Sequence, residues 1–224
     1  MSIKLVVFDI AGTTVADDHA VAKAFCKAFE LNGCDISEED VKPLMGYKKK
    51  VAIQKVLERQ GIEWDAELVE DIHDEFVSEM IDHYQYSPTV RPMQEAEDVF
   101  LQLKERGIQV ALNTGFSKDI ADTILHRFQW KEKGLVDDYI ASDEVKEGRP
   151  QPFMIDELMQ RAGIEDAEEV AKIGDTEVDV NEGRNAGCGL VVAVTTGAYT
   201  RLQLEEYHPD YILDSLADFP ALIQ

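Results

Sequence analysis

The stretch Leu5-Val6-Val7-Phe8-Asp9-Ile10-Ala11-Gly12-Thr13-Thr14 sets an apolar run against a polar, glycine-containing turn. A short run without polar alternation reads as a strand buried on both faces, as in a parallel sheet. An aspartate at the end of such a strand presents its carboxylate into the crevice where α/β sheets bind ligands. Gly12 lets the following turn bring backbone N–H groups near an anion.

Working outward, the same kind of run recurs at Val110-Ala111-Leu112, Tyr139-Ile140-Ala141, Val170-Ala171-Lys172-Ile173 and Leu190-Val191-Val192-Ala193-Val194, with a last short one at Tyr211-Ile212-Leu213. Helical patterns separate most of them, over 95–106, 118–128, 152–162 and 178–186. Strand and helix in alternation argue a parallel sheet covered on both faces. Residues 17–86 break the alternation, with no convincing strand and several helices. Val21, Phe25, Ala28 and Phe29 mark one apolar face; Leu68, Ile72, Phe76, Met80 and Tyr84, every fourth residue, mark another. Ser37 and Asp40 form a candidate capping box for a short helix that Pro43 disturbs. The segment reads as an all-helical insertion, hinged at Val15-Ala16-Asp17 and at Tyr86-Ser87-Pro88-Thr89-Val90.

Three further polar signals fall at the carboxyl ends of predicted strands or just before helices. Asn113-Thr114-Gly115-Phe116-Ser117 offers a hydroxyl and helix N-terminal N–H groups suited to a phosphate. Gly148-Arg149-Pro150-Gln151-Pro152 holds a guanidinium in a stiff loop, where it could grip phosphate. Gly174-Asp175-Thr176-Glu177-Val178-Asp179 places two carboxylates four residues apart at a helix start, a spacing that can bring both near one hard cation. Each signal alone has a plainer reading as a turn, a cap or a surface ion pair.

Taken together and in this order, the four motifs resemble those of the haloacid dehalogenase superfamily, and the resemblance covers almost the whole chain. It implies an α/β fold: a Rossmann-like parallel-sheet core flanked by helices (1–16 and 88–224) with an all-helical cap inserted after the first strand (17–87). It implies that Asp9 attacks phosphorus and forms an aspartyl-phosphate. Mg²⁺ would be held by Asp9, the Ala11 carbonyl and Asp175, with Asp179 in support. Gly12, Thr13, Thr114, Gly115 and Arg149 would bind the phosphoryl group and stabilise its charge.

Two departures narrow the resemblance. Superfamily phosphatases carry a second aspartate two residues after the nucleophile, to protonate the leaving group; here that residue is Ala11, which has no proton to give. The lysine usual in the third motif is replaced by Arg149. Both changes look like those of the phosphonatases, the phosphonoacetaldehyde hydrolases, in which a cap lysine forms a Schiff base with the substrate aldehyde. Met45-Gly46-Tyr47-Lys48-Lys49 is similar to that family's lysine motif and selects Lys49, with Met45 and Gly46 beside the substrate. A Schiff-base lysine must be neutral to attack, and three features are expected to lower its pKa: flanking Lys48 and Lys50, a helix N-terminus, and burial under the cap. Ala52, where the family carries histidine, and Phe116, where tyrosine is common, leave the substrate open between phosphonoacetaldehyde and a close relative. His19 and Tyr47 are candidate replacements; His73 and His83 read as surface or packing residues. A magnesium-dependent phosphomonoesterase acting on a small ester is the alternative, and a non-catalytic phosphate- or partner-binding relic a third reading.

Composition bounds the partners. The 224 residues carry 45 Asp+Glu against 22 Lys+Arg, a formal charge of -23, so nucleic acid and anionic membranes are repelled and a small anionic substrate needs a local cationic pocket. Cys26, Cys34 and Cys188 make neither a disulfide framework nor a metal-ligand pattern, and Met1-Ser2-Ile3-Lys4 runs directly into a strand; a cytoplasmic protein is expected. The resemblance also implies a homodimer joined through the cap.

Overall fold

The computed structural model describes residues 2–223. Six strands form one parallel sheet: β1 (Leu5–Asp9), β2 (Gln109–Thr114), β3 (Asp138–Ala141), β4 (Val170–Gly174), β5 (Leu190–Val194) and β6 (Tyr211–Leu213), in the order β3-β2-β1-β4-β5-β6. From β1 the chain builds outward in one direction and then returns to build in the other. The crevice at such a reversal lies outside the carboxyl ends of β1 and β4, where ligands bind in doubly wound sheets.

Side chains along β1 alternate between two cores. Val6 and Phe8 face one, which takes in helix α5 (Ala96–Glu105), helix α6 (Lys118–Phe128) and the turn holding Leu216 and Phe219. Leu5 and Val7 face the other, with helix α7 (Phe153–Ala162), helix α8 (Glu177–Ala186) and helix α9 (Arg201–Glu205). Burial on both faces is why these strands read as continuous apolar runs. Several strands extend past the apolar run at the carboxyl end. Asp9 still pairs with Asn113, and Gly174 with Ala193, because ladder hydrogen bonds and not side-chain polarity set where a strand stops.

Between β1 and α5 lie the cap helices α1 (Ala20–Leu31), α2 (Glu38–Val41), α3 (Lys49–Gln60) and α4 (Ala66–Tyr86). Ser37 and Asp40 form the anticipated capping box, and Pro43 sits in a 3₁₀ turn that ends α2. Phe25 and Phe29 of α1, Ile53 and Val56 of α3, and Phe76 and Met80 of α4 are fully buried together. The cap's apolar core continues into the first sheet-face core, so cap and sheet share one contiguous apolar cluster. Two connections cross between them side by side: Met93 N donates to Thr14 O at 2.8 Å, and Ala16 N to Arg91 O at 3.2 Å. The far end of α4 is held by Arg127 of α6, whose guanidinium donates to the carbonyls of Tyr84, Gln85 and Ser87. These are carbonyls that a helix end leaves without partners.

Candidate active site

Asp9 ends β1 with its carboxylate buried, and Arg149 Nη1 donates to its Oδ1 at 2.6 Å. Asp175 follows β4 directly. Thr13 Oγ1 donates to its Oδ1 at 3.2 Å and the Ala198 N–H to its Oδ2 at 2.6 Å, so the first and fourth motifs are tied together. Gly12 is required between them: its φ is +86°, and a β-carbon there would lie 2.8 Å from Asp175 Oδ2.

Beneath this pair lies a fully buried charge network. Arg149 reaches Asp9, Asp179 at 3.0 Å and Glu182 at 3.1 Å, and donates to the Asn113 carbonyl and side-chain oxygens. Lys172 Nζ donates to Asn113 Oδ1 at 2.6 Å and lies 3.0 Å from Asp179 and 3.3 Å from Glu182. Asp179 thus gives Oδ1 to the two cations, while its Oδ2 accepts from the Thr176 backbone and hydroxyl at the start of α8. Lys172, Asn113 and Glu182 were not singled out by sequence. A lysine inside an otherwise apolar strand run, and a glutamate one helical turn beyond Asp179, are the signals that could have found them.

Burial raises the pKa of Asp9, opposed by Arg149 and reinforced by the like charge of Asp179. Asp175 stands well above the usual range, through burial and then its neighbours Asp9 and Asp179. For Asp179 burial also pushes upward, but Arg149, Lys172 and the Thr176 bonds outweigh it and leave the carboxyl below its ordinary value. Four buried carboxylates (Asp9, Asp175, Asp179, Glu182) meet three buried cations (Arg149, Lys172, Lys49). Asp175 has no cationic partner among the described residues and Asp9 shares Arg149 with Asp179 and Glu182, so the shortfall of positive charge falls on the Asp9–Asp175 side. An all-oxygen pair carrying uncompensated negative charge is a donor set that fits a hard divalent cation. The acidic cluster Glu70, His73 and Asp74 is a different place: it lies on α4 outside the pocket, with Glu70 already paired to Lys50.

The cap closes over this floor. A cavity of about 30 Å³ is lined by Asp9, Ala11, Asp17, Lys49, Thr114 and Phe116, with Met45, Gly46, Gly115 and Asp175 also on its wall. Cap loop and core touch backbone to backbone there: a β-carbon on Gly115 would lie 2.5 Å from both the Gly46 and Tyr47 carbonyl oxygens. Gly46, at φ +82°, leaves a β-carbon no room either, 2.6 Å from Thr176 Oγ1. Lys49, the first residue of α3, is 4% exposed, and among the described residues none forms a hydrogen bond or ion pair with its Nζ. Its Nζ sits instead over the rings of Phe116 (5.0 Å), Phe25 (5.6 Å) and Phe76 (5.9 Å). Burial, against the pull of Asp9 and with help from Arg149, lowers its pKa to about 8.

Lys48 and Lys50 do not supply the charge expected to depress the Lys49 pKa. The flanking lysines face elsewhere, Lys48 Nζ toward the Val145 carbonyl and Lys50 Nζ onto Glu70; the neighbouring cation that counts is Arg149. Residues adjacent in sequence point to different sides of a helix, so charge adjacency along the chain was a poor guide. Neither candidate histidine replacement lines the cavity: His19 is exposed beside Glu38, and Tyr47 donates to Glu177 at 2.7 Å.

The sequence profile of the haloacid dehalogenase-like hydrolases matches residues 6–193. The chain belongs to that family. Among relatives of this haloacid dehalogenase-like hydrolase, the phosphonoacetaldehyde hydrolase of Bacillus mycoides is 30% identical, over 93% of this chain and 83% of its own. That of Bacillus cereus strain B4264 is 29% identical over 92% and 81%. The fold is shared with a phosphonoacetaldehyde hydrolase like protein from Oleispira antarctica (TM-score 0.87, 21% identity, covering 99% of this chain and 91% of that one). It is shared too with a predicted phosphoglycolate phosphatase from Haemophilus somnus (TM-score 0.83, 21% identity, covering 99% and 98%). No helix among the described residues is long and apolar enough to cross a membrane.

Proposed function

We propose that this hydrolase cleaves the carbon–phosphorus bond of phosphonoacetaldehyde or a close relative, through an aspartyl-phosphate on Asp9 and a Schiff base on Lys49. The observation that carries the reading is the placement of Lys49. A lysine brought by the cap into the same small cavity as Asp9, without a salt-bridge partner among the described residues and held near pKa 8, is a nucleophilic amine rather than a charge anchor. A phosphate ester asks for an acid near its leaving oxygen, and Ala11 offers only a methyl group and a backbone carbonyl.

In this reading residues 17–87 are the cap and residues 1–16 with 88–224 the catalytic core. Lys49 forms an iminium with the aldehyde carbon. The C–P electron pair then passes into that iminium as an enamine while Asp9 Oδ takes the phosphoryl group. Arg149 orients Asp9, and the Thr114 hydroxyl with the Gly115 N–H steadies the phosphoryl oxygens, while Gly12 and Thr13, whose N–H groups bond the Val15 and Ile10 carbonyls, shape the turn beside them. Met45 and Gly46 close the cavity on the aldehyde side. Asp9, the Ala11 carbonyl and Asp175 would hold Mg²⁺, which when bound neutralises charge on the transferring group. Asp179 supports that set by keeping Arg149 and Lys172 in place. A cavity of about 30 Å³ has room for a water molecule and not for a substrate, so cap and core separate to admit one. A cytoplasmic location and a dimer through the cap belong to the same reading; Cys26, Cys34 and Cys188 are free, and Leu31 and Trp64 are exposed apolar side chains of the cap.

The test is phosphate release from phosphonoacetaldehyde beside small phosphate esters, with and without Mg²⁺, and borohydride trapping with the aldehyde. Full turnover by Lys49→Ala would sink the Schiff base. The phosphomonoesterase reading stands instead if esters are hydrolysed briskly and Lys49 is dispensable, since the phosphoryl half of the site suits either substrate.

A further inference from the structure

Iminium chemistry at a buried amine requires a supply of protons. Joining a neutral amine to an aldehyde consumes one proton and expels one water, and later hydrolysis takes up a water and releases a proton. The cavity around Lys49, about 30 Å³, holds very little water of its own. Its other acids are committed: Asp9 is bound by Arg149, and Asp175 by Thr13 and Ala198. The helix position three residues after Lys49 is Ala52, a buried methyl.

One carboxylate stands at the boundary. Asp17 lines the small cavity that holds Lys49, and it also lines two larger cavities beside it. The first, of about 430 Å³, is bordered by Lys23, Glu79 and His83, and the second, of about 530 Å³, by His19, Lys42 and Arg91. It is the one residue common to all three, so it borders both the Lys49 chamber and the two larger clefts. Only its Oδ1 is engaged, accepting from Val21 N at 3.0 Å; its Oδ2 has no partner among the described residues.

We propose that Asp17 is the proton carrier of the Lys49 amine, passing protons between the outer clefts and the imine-forming atoms. The inference rests on the Schiff-base reading above. Lys49 Nζ adds to the aldehyde carbon while the carbonyl pair moves to oxygen, which takes the Asp17 proton. The N–H of the adduct returns a proton to the Asp17 carboxylate. Asp17 delivers it again to the hydroxyl, which leaves as water, and the nitrogen pair forms the C=N bond of the iminium. One proton has been drawn from Asp17, which recovers it from the outer clefts. Burial holds its carboxyl above the usual aspartate range, against the Val21 N–H and the charges that face it: Lys49 from α3, His19 from its own turn and His83 from α4. It therefore keeps a proton to nearer neutrality than an exposed aspartate does.

The plainer role for Asp17 is to accept the Val21 N–H at the start of α1. Asp17→Asn keeps an oxygen for that bond and removes the titrating group, so it separates the two roles. The experiment is single-turnover borohydride trapping on Lys49 with phosphonoacetaldehyde from pH 5 to 9, for wild type, Asp17→Asn and Asp17→Glu, with thermal melts alongside. Wild type should trap the adduct. Asp17→Asn should trap it at least tenfold more slowly and lose one limb of the pH profile at an unchanged Tm, and Asp17→Glu should recover part of the rate with that limb displaced. Trapping by Asp17→Asn at the wild-type rate, or slowing by one factor at every pH, overturns the proposal while leaving the Schiff base intact. If Asp17→Asn does not fold, an Asp17→Glu profile superimposable on wild type does the same. Absence of any adduct in wild type overturns the Schiff base and this inference with it.

Discussion

Burying Lys49 without an ion pair costs the fold free energy wherever its ammonium form would otherwise prevail. Its pKa falls from the ordinary lysine value to about 8, while the unfolded chain keeps the ordinary one. Between those two values the unfolded state binds the extra proton, so this residue makes the protein more stable as pH rises through that window and imposes its full penalty below it. Lys49→Met, of similar length and at home among Phe25, Phe76 and Phe116, should therefore stabilise the protein at pH 7 by on the order of 1–3 kcal/mol. The gain should fade toward pH 10, and denaturant titrations at the two pH values check both. Activity should move oppositely, with phosphate release from the phosphonate lost by at least a thousandfold. Lys172 shows a different use of a buried lysine. It is paired with Asp179, Glu182 and Asn113, so Lys172→Met should destabilise by roughly 3–5 kcal/mol by leaving buried carboxylates short of a cation. Two buried lysines thus have opposite expected signs, decided by their partners.

The contact between the Met45–Lys49 loop and the turn after β2 determines whether the site is complete. Gly115 is hemmed by two backbone carbonyls, which cannot swing aside as side chains do. Gly115→Ala should hold the cap off the core, lowering kcat/KM at least tenfold and costing about 1–3 kcal/mol, as seen by steady-state kinetics and a thermal melt. The helices themselves were readable from apolar periodicity. Residues 118–128 form α6 as anticipated, and the every-fourth-residue face from Ile72 to Tyr84 is the buried face of α4. What periodicity does not carry is where a helix end finds its hydrogen bonds. The carbonyls at the end of α4 go to Arg127, 40 to 43 residues away in sequence. That anchoring is a long-range contact, and local pattern has no access to it.

On the scale of the whole molecule, the carboxylate excess over the site invites a divalent cation, and binding to the folded state alone stabilises it. Saturating Mg²⁺ should raise the Tm in the absence of substrate, and Asp175→Asn should abolish that increment; a Tm indifferent to Mg²⁺ would count against the donor set. The sequence by itself determined the sheet, the helical insertion and the four motifs. Burial on both faces leaves apolar runs, amphipathic faces leave periodicity, and strand ends place motif residues at one edge of the sheet. It also determined that Ala11 carries no acid, since that is a matter of residue type alone. Tertiary structure decided what those residues do to one another. It turned Asp179 toward Arg149 and Lys172, swung Lys48 and Lys50 away from Lys49, and set Asp17 on the wall shared by the Lys49 cavity and two larger clefts. The reason is that a pKa, an ion pair or a proton path depends on distance and burial. These are fixed only when elements far apart in sequence, β1, α3 and β4 among them, close around the same few cubic ångströms.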